Sequence, residues 1–365
     1  MKSVVFFLYD LRIGGAEKVI VQLSNYFINI GYKVSILTIS SKNNSFKDIL
    51  NPKINIYSLK NVKIRYSFFP LIKFWKENKF DIFIANIWPL TLLSIICKFF
   101  FKNRKLILIE HCNLTMEFKN KSFFFKFFMN KSISLFYNFS HKVITVSNGV
   151  KTDLIIKGVK KNNIQTIYNP FFLLKKKDKE FENDLVYFEN FIGSKFLCVG
   201  NLKKQKNYKF LLDTLNIYRE KNNEKFLCYI LGNGNQKQFI LDKILQYNLT
   251  KNVKIISNVK NPYYFYKACD IFLLPSLYEG FGIVLVEALS LGKTVVSTDC
   301  KSGPSEIIGK NEYGYLCSVN NKEDLYNNII KALNNPIIEE KAKSRAIEFS
   351  IDNIAIQYIN LIKTI

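Results

Sequence analysis

Leu274-Pro-Ser-Leu-Tyr-Glu-Gly-Phe-Gly-Ile-Val-Leu-Val-Glu-Ala-Leu289 follows directly on the apolar, strand-like run from Asp270. Gly280 and Gly282 bracket Phe281, so the backbone there can approach a ligand closely. A helix opening near Gly282 turns the unsatisfied N–H groups of its first turn, at Phe281, Gly282, Ile283 and Val284, outward. Such a helix end binds anions, phosphate above all. Glu287 then falls in the second helical turn, where a carboxylate can accept two hydroxyl protons, while Glu279 stays on the loop beside the same opening. One carboxylate for a ribose diol and one for a sugar is the simplest division of labour.

A chain of 365 residues, nearly half of them apolar, is long for one domain and natural for two. The formal net charge is +24, of which +18 falls on residues 1–172 and only +6 on the remainder. Such a field attracts nucleic acid, anionic membrane or phosphorylated substrates, and composition does not choose among them. Seven cysteines without a C-x-x-C pair behave as small hydrophobes and suit a reducing cytoplasm. The N-terminal apolar run Val4–Leu8 is too short for a secretory signal. Ile82–Phe101 approaches the length of a membrane span, but Asn86, Pro89 and Lys98 interrupt it, so a buried strand followed by a helix is expected.

Outward from the opening stretch, short apolar runs alternate with helical lengths throughout the chain. This implies βαβ units and parallel sheets, an α/β fold. The first domain is expected over 1–172. The charged run Leu174–Asp184 marks a linker over 173–190, a second domain follows over 191–345, and 346–365 forms a C-terminal helix. Gly14 and Gly15 sit between the first strand and its helix, though not in a G-x-G-x-x-G fingerprint. Glu110-His111 closes a strand at the end where open α/β sheets gather ligands. His141, the only other histidine, is read as a surface residue.

The full string P-S-x-x-E-G-F-G-x-x-x-x-E-A resembles the signature of the retaining glycosyltransferases of family 4. That resemblance implies the GT-B fold, two Rossmann-like domains facing each other across a cleft. It further implies transfer of a hexose or N-acetylhexosamine from a nucleotide diphosphate sugar, UDP-linked by preference, with retained anomeric configuration. The second domain would hold the donor and the first the acceptor. Gly14-Gly15-Ala-Glu-Lys18 is similar to the family loop that faces the donor's phosphates and sugar. Gly200-Asn-Leu-Lys-Lys-Gln-Lys-Asn207 resembles the family's G-R-L-x-x-x-K-N/G, whose Arg and Lys clamp the diphosphate. Lys206 matches, but Asn201 stands where the Arg usually is and removes one guanidinium fork. Gly232-Asn-Gly234 and Ser302-Gly-Pro-Ser-Glu306 match further family turns. The resemblance assigns His111, Glu279 and Lys206 to catalysis, and Gly14, Gly15, Asn201, Lys206, Glu279, Gly280, Phe281, Gly282, Ile283, Val284 and Glu287 to donor binding. No D-x-D occurs, so no metal or other cofactor is expected; Lys206 and the helix N-terminus would neutralise the leaving diphosphate.

Residues Lys119–Lys131 thread five phenylalanines through four lysines. Lysines attract anionic headgroups and aromatic rings enter the interface; the bland alternative is a core helix with snorkelling lysines. Peripheral contact with the inner face of the cytoplasmic membrane is expected, with a lipid-linked saccharide as acceptor, in bacterial polysaccharide, lipopolysaccharide or glycoprotein glycan assembly. No recognised RNA module accompanies the stretch, so nucleic acid is not expected as a partner. The competing reading is a GT-B-fold protein that has lost catalysis, motivated by Asn201, and binds membrane or nucleic acid through its basic half.

Overall fold

The computed structural model describes every residue except 1, 13, 44, 61–62, 173–180 and 223. The chain divides into two compact units, Met1–Pro170 with Ile351–Ile365, and Phe171–Ser350. In chain order the first unit contains β1 (Ser3–Leu8), α1 (Gly15–Asn29), β2 (Lys33–Thr38), β3 (Asn55–Ser58), α2 (Phe68–Glu77), β4 (Ile82–Asn86), α3 (Leu90–Phe100), β5 (Lys105–Glu110), α4 (Leu114–Glu117), α5 (Phe123–Phe136), β6 (Lys142–Thr145), α6 (Asn148–Ile156) and β7 (Ile164–Thr166). The second contains α7 (Glu182–Glu189), β8 (Ser194–Val199), α8 (Tyr208–Lys221), β9 (Phe226–Leu231), α9 (Lys237–Gln246), β10 (Val253–Ile256), α10 (Tyr263–Ala268), β11 (Ile271–Leu274), α11 (Ile283–Ser290), β12 (Thr294–Thr298), α12 (Pro304–Ile308), β13 (Tyr315–Cys317), α13 (Lys322–Asn334) and α14 (Glu339–Ile347). The last helix, α15 (Ile351–Thr364), belongs to the first unit.

Each unit is a parallel sheet between helical layers. The strand orders are β3-β2-β1-β4-β5-β6-β7 and β10-β9-β8-β11-β12-β13. The alternation of side chains along β1 explains the two-faced core. Val5 and Phe7 pack with Leu71, Trp75, Ile95 and Ile133 of α2, α3 and α5, whereas Phe6 turns to Phe27 of α1. Right-handed crossovers that all run in one direction from β3 to β6 place α2, α3 and α5 on one face. α1 and α15 pack together on the other.

In the second unit Phe196, Cys228, Ile271 and Val296 meet α8, α9 and α13 on one face. Tyr229 and Phe272 meet Phe265 and Tyr266 of α10 on the other. The span-like segment 82–101 resolves into β4 and α3, and among the described residues no helix is long and apolar enough to cross a membrane.

Of the segment read as a linker, 173–180 lies outside the described residues. The remainder includes α7, whose Leu185 and Phe188 are buried, Phe188 against Tyr229 at 4.6 Å between ring centroids. Two apolar residues three apart are enough to seat one helical face, and the surrounding charges concealed them. His141 is half-buried rather than a surface residue: its Nδ1 accepts the Leu106 N–H (3.1 Å), and burial, followed by Lys98 and Lys105, pushes its pKa down to about 4.

Candidate active site

Both sheets bring their chemically equipped residues to the carboxyl ends of the strands, where an open α/β sheet leaves crevices. In the second unit β11 runs into the turn 275–282. Gly282 caps α11 with φ +94°, the left-handed region that glycine enters without a Cβ penalty. The turn is fastened from three sides. Gln205 Nε2 donates to Tyr278 O (2.9 Å) and Leu277 N–H to Gln205 O (2.8 Å). Thr298 Oγ1 donates to Ser276 O (2.6 Å) from β12. Glu279 N–H donates to Lys301 O (3.2 Å), and Gly303, at φ +96°, lies so close to Phe281 that a Cβ would stand 2.1 Å from its carbonyl oxygen.

Within this frame Lys206 Nζ donates to Glu279 Oε1 at 2.6 Å, and Ser276 Oγ donates to the same oxygen at 2.6 Å. Lys206 ends a short 3-10 turn, Lys204–Lys206, after β8, and its aliphatic stem passes 3.0 Å from where a Cβ on Gly200 would be. Glycine at 200 therefore makes room for the lysine. Glu287, in the second turn of α11, is buried and accepts the Tyr266 hydroxyl on Oε2 (3.1 Å). Lys206, Glu279, Gly280, Phe281, Gly282, Ile283, Val284 and Glu287 thus belong to one turn-and-helix assembly. Asn201 is exposed on the loop after β8. Gly232 and Gly234 are packing glycines, since Cβ atoms there would lie 2.0 Å from Gly200 O and 2.5 Å from Leu202 O.

In the first unit, Gly14 precedes α1 as its extended N-cap and Gly15 opens the helix. A Cβ on Gly15 would meet no described atom within 4 Å, so packing does not demand glycine there. The loop before it is held by buried Asp10, which accepts Arg12 Nε (2.7 Å), Arg12 Nη2 (2.8 Å) and Asn43 Nδ2 (2.9 Å). Burial pushes the Asp10 carboxyl up, but Arg12 and Asn43 together hold it below the usual range.

His111 follows β5, and its Nε2 lies 3.0 Å from Asn86 Oδ1 at the end of β4. The amide of Asn86 is oriented by its Nδ2, which donates to Phe7 O (3.1 Å), so Oδ1 faces the imidazole. That fixes the tautomer: Nε2 carries the proton and Nδ1 keeps a lone pair. Nδ1 is buried with no partner among the described residues, and burial pushes the ring's pKa down to about 3. His111 is a neutral imidazole at physiological pH.

Sequence reasoning named the Glu110-His111 pair but passed over Glu110 itself. It is fully buried and accepts Trp88 N–H (3.3 Å), Thr91 Oγ1 (3.1 Å) and the Tyr137 hydroxyl. Desolvation raises its pKa to about 7 against the pull of those donors. Asn86, Gln205, Ser276, Thr298 and Gly303 were missed as well. Asn86, Gln205, Thr298 and Gly303 act through contacts 22 to 73 residues away and Ser276 through one three residues on; only Gly303 and Ser276 carried a signal, in the phrase Ser302-Gly303-Pro304 and in the P-S of the opening string.

Two Rossmann-like domains, each presenting its polar residues at the strand ends, define the structural class as GT-B. Residues 192–349 match the model of the glycosyl transferases group 1 domain, and residues 13–171 match that of glycosyltransferase family 4. The chain belongs to the glycosyltransferases built from these two domains. It is 28% identical over 371 residues to the N-acetylgalactosamine-N,N'-diacetylbacillosaminyl-diphospho-undecaprenol 4-alpha-N-acetylgalactosaminyltransferase of Campylobacter jejuni, covering 97% of this chain and 98% of that one. It is 26% identical over 370 residues, with the same shares covered, to an uncharacterized glycosyltransferase of Haemophilus influenzae. Among solved structures, Anabaena HepE in complex with UDP and glucose superposes with a TM-score of 0.83 at 18% identity over the whole of both chains.

The buried acid gives a signed pH test. The folded pKa of Glu110, about 7, lies above the ordinary glutamate value of 4.5, so its share of stability is full below about pH 4.5 and is lost as pH rises towards 7. Glu110→Gln removes that titration. The difference in melting temperature, variant minus parent, is expected to climb between pH 4.5 and 7 and then level off; a difference independent of pH contradicts the assignment.

Proposed function

We propose that the chain is a retaining glycosyltransferase that moves a hexose or N-acetylhexosamine from a nucleotide diphosphate sugar, UDP-linked by preference, to a hydroxyl of a membrane-anchored glycan. The observation that carries the reading is the largely buried Lys206–Glu279 pair at the mouth of α11, with Glu287 in that helix's second turn. Glu287 takes the ribose diol, replacing or sharing its Tyr266 hydrogen bond. The first-turn N–H groups of α11, Ile283 and Val284 among them, together with Lys206, receive the diphosphate. An ammonium has three donors, so Lys206 can keep Glu279 and still bind a phosphate oxygen. As the glycosidic bond breaks, negative charge grows on the leaving diphosphate, and a preformed cation and helix end stabilise that charge more than the ground state. This requires no metal, and turnover is expected to survive chelation by EDTA.

Glu279, anchored through Oε1 by Lys206 and Ser276, orients a donor sugar hydroxyl. Gly15 leaves open space at the head of α1 for phosphate or sugar to approach the backbone. His111, held neutral with a fixed tautomer, acts as an acceptor for a hydroxyl near the reacting centre. The exposed position of Asn201 leaves Lys203 and Lys204 as the added positive charge around the diphosphate. The undecaprenyl diphosphate named in the Campylobacter relative's acceptor, and the UDP bound to the Anabaena neighbour, support a lipid-linked acceptor and a UDP donor here. Four phenylalanines of α5 lie exposed among Lys119, Lys121, Lys126 and Lys131, which supports peripheral binding at the inner face of the cytoplasmic membrane.

Incubation with UDP-, GDP- and ADP-sugars and a polyprenyl diphosphate-linked saccharide, read by mass spectrometry, tests the reaction; no transfer and no slow donor hydrolysis would sink it. Glu287→Ala is expected to weaken nucleotide binding by about 1.5–3 kcal/mol, the range for hydrogen bonds to a charged group. Lys206→Ala should cost more against the diphosphate than against the monophosphate. Unchanged binding of all nucleotides to Glu287→Ala, or equal losses for both phosphates, refutes the respective role. His111→Ala is expected to depress turnover while donor affinity stays within a few-fold. A large fall in melting temperature with activity retained assigns His111 to the fold instead.

A further inference from the structure

We infer that the outer surface of the α2–α3–α5 layer is one continuous docking face for an anionic bilayer, much wider than the Lys119–Lys131 stretch. The inference rests on the membrane reading above and extends it to residues that no motif singled out. The three helices share a face of the sheet, with α2 against α3 and α3 against α5. Their outward side chains are aromatic to an unusual degree. Phe69 on α2 is 78% exposed and Phe100 on α3 is 64% exposed, next to Phe123 at 73% and Phe124 at 82% on α5. Tyr66, Phe99, Phe127, Phe128, Leu135 and Phe139 are exposed as well.

Ring contacts gather them into groups along the layer, joined through the neighbouring Phe99 and Phe100 of α3 and continued on α5 by Phe123 against Phe124 and Phe127. Phe68 touches both Phe69 (5.4 Å) and Phe100 (6.3 Å), while Phe99 reaches Phe136 (6.4 Å) and Phe139 (5.3 Å) beside the C-terminus of α5. Patches of this kind mark interaction sites. Charge decides what the partner is. Arg65, stacked on Tyr66 at 4.8 Å, together with Lys73, Lys102, Lys126 and Lys131, surrounds the rings, and across the three helices the only acidic residue is Glu77, itself 3.8 Å from Lys73. Rings that enter an interface, set among cations that meet headgroups, suit anionic lipid. Within the three helices these cations meet no acid but Glu77, and a bilayer of anionic headgroups supplies the missing charge evenly over so wide a face.

The two native tryptophans, Trp75 and Trp88, are 0% and 6% exposed and give a background insensitive to lipid. Phe69→Trp, Phe100→Trp and Phe124→Trp in the full chain are mixed with phosphatidylglycerol–phosphatidylethanolamine vesicles carrying brominated acyl chains, with phosphatidylcholine vesicles as control. All three added indoles are expected to shift to the blue and to be quenched by the anionic vesicles at low salt, and not by the control. The double variant Phe69→Gln, Phe100→Gln should lose about tenfold in vesicle affinity, the loss expected from partial insertion of two rings, with its melting temperature unchanged. Quenching at Phe124→Trp alone overturns the wide face and leaves the narrower membrane reading standing. No quenching at any of the three sinks both. A lipid-free dimer that the double variant disperses overturns the inference in favour of a second copy of the chain.

Discussion

A lysine and a glutamate 2.6 Å apart and largely withdrawn from water exist only where the surrounding backbone leaves them no alternative. Desolvating both charges is costly, and the cost is met here by geometry fixed beforehand. Ser276 supplies a further hydrogen bond to the carboxylate, and Gly200 lets the lysine stem lie flat against the loop. The turn that carries Glu279 is pinned by Gln205, Thr298 and Lys301, and it can lie against Gly303 only because that residue has no side chain. The strand β11, the turn and α11 therefore behave as one rigid piece. Such preorganisation is what electrostatic stabilisation of a leaving group demands, since dipoles that must reorient during reaction contribute less.

The first unit follows the same principle with different chemistry. Beside the Asp10–Arg12 pair that holds the loop after β1, its strand ends carry a neutral histidine and a buried acid. Asn86, the last residue of β4, serves β1 and the end of β5 at once, donating to the chain at Phe7 and receiving the imidazole proton. A histidine so held cannot become a cation near neutral pH, because protonation would require Nδ1 to carry a proton into a site that offers it no acceptor. Its usable chemistry is that of a lone pair.

The alternating runs made the two parallel sheets legible, and β2, β9 and β10 lie within a residue of where the apolar stretches end. The site-bearing turn was legible because one contiguous string holds both glycines and both glutamates. Short elements escaped: β7 and β13 have three residues each, too few to show a period, and α7 hides its apolar pair among acids. Supporting residues escaped for a different reason. Gln205 and Thr298 look like ordinary polar residues until the fold brings them to Tyr278 and Ser276, and nothing local in a sequence encodes a partner 73 or even 22 positions away.

Helix α5 poses a problem that its polar anchors solve. With five phenylalanines in its first six residues, apolar side chains occur on every side, and hydrophobicity alone does not say which face turns inward. Phe125 packs against Trp88 and Phe118, but Phe124 or Phe128 could fill similar space if the helix rolled. The buried hydrogen bonds forbid the roll. Ser132 Oγ accepts the indole N–H of Trp88 at 3.3 Å, and Tyr137, just past the helix, places its hydroxyl on Glu110. Rotating α5 would take the indole N–H and the phenol from their partners in the core and strip one of the three donors from Glu110, at about 1–3 kcal/mol for each group left unsatisfied. Burying one more ring returns no more than about 1.5–3 kcal/mol. The polar contacts therefore set the rotation of the helix, and the outward display of its remaining aromatic rings follows from them.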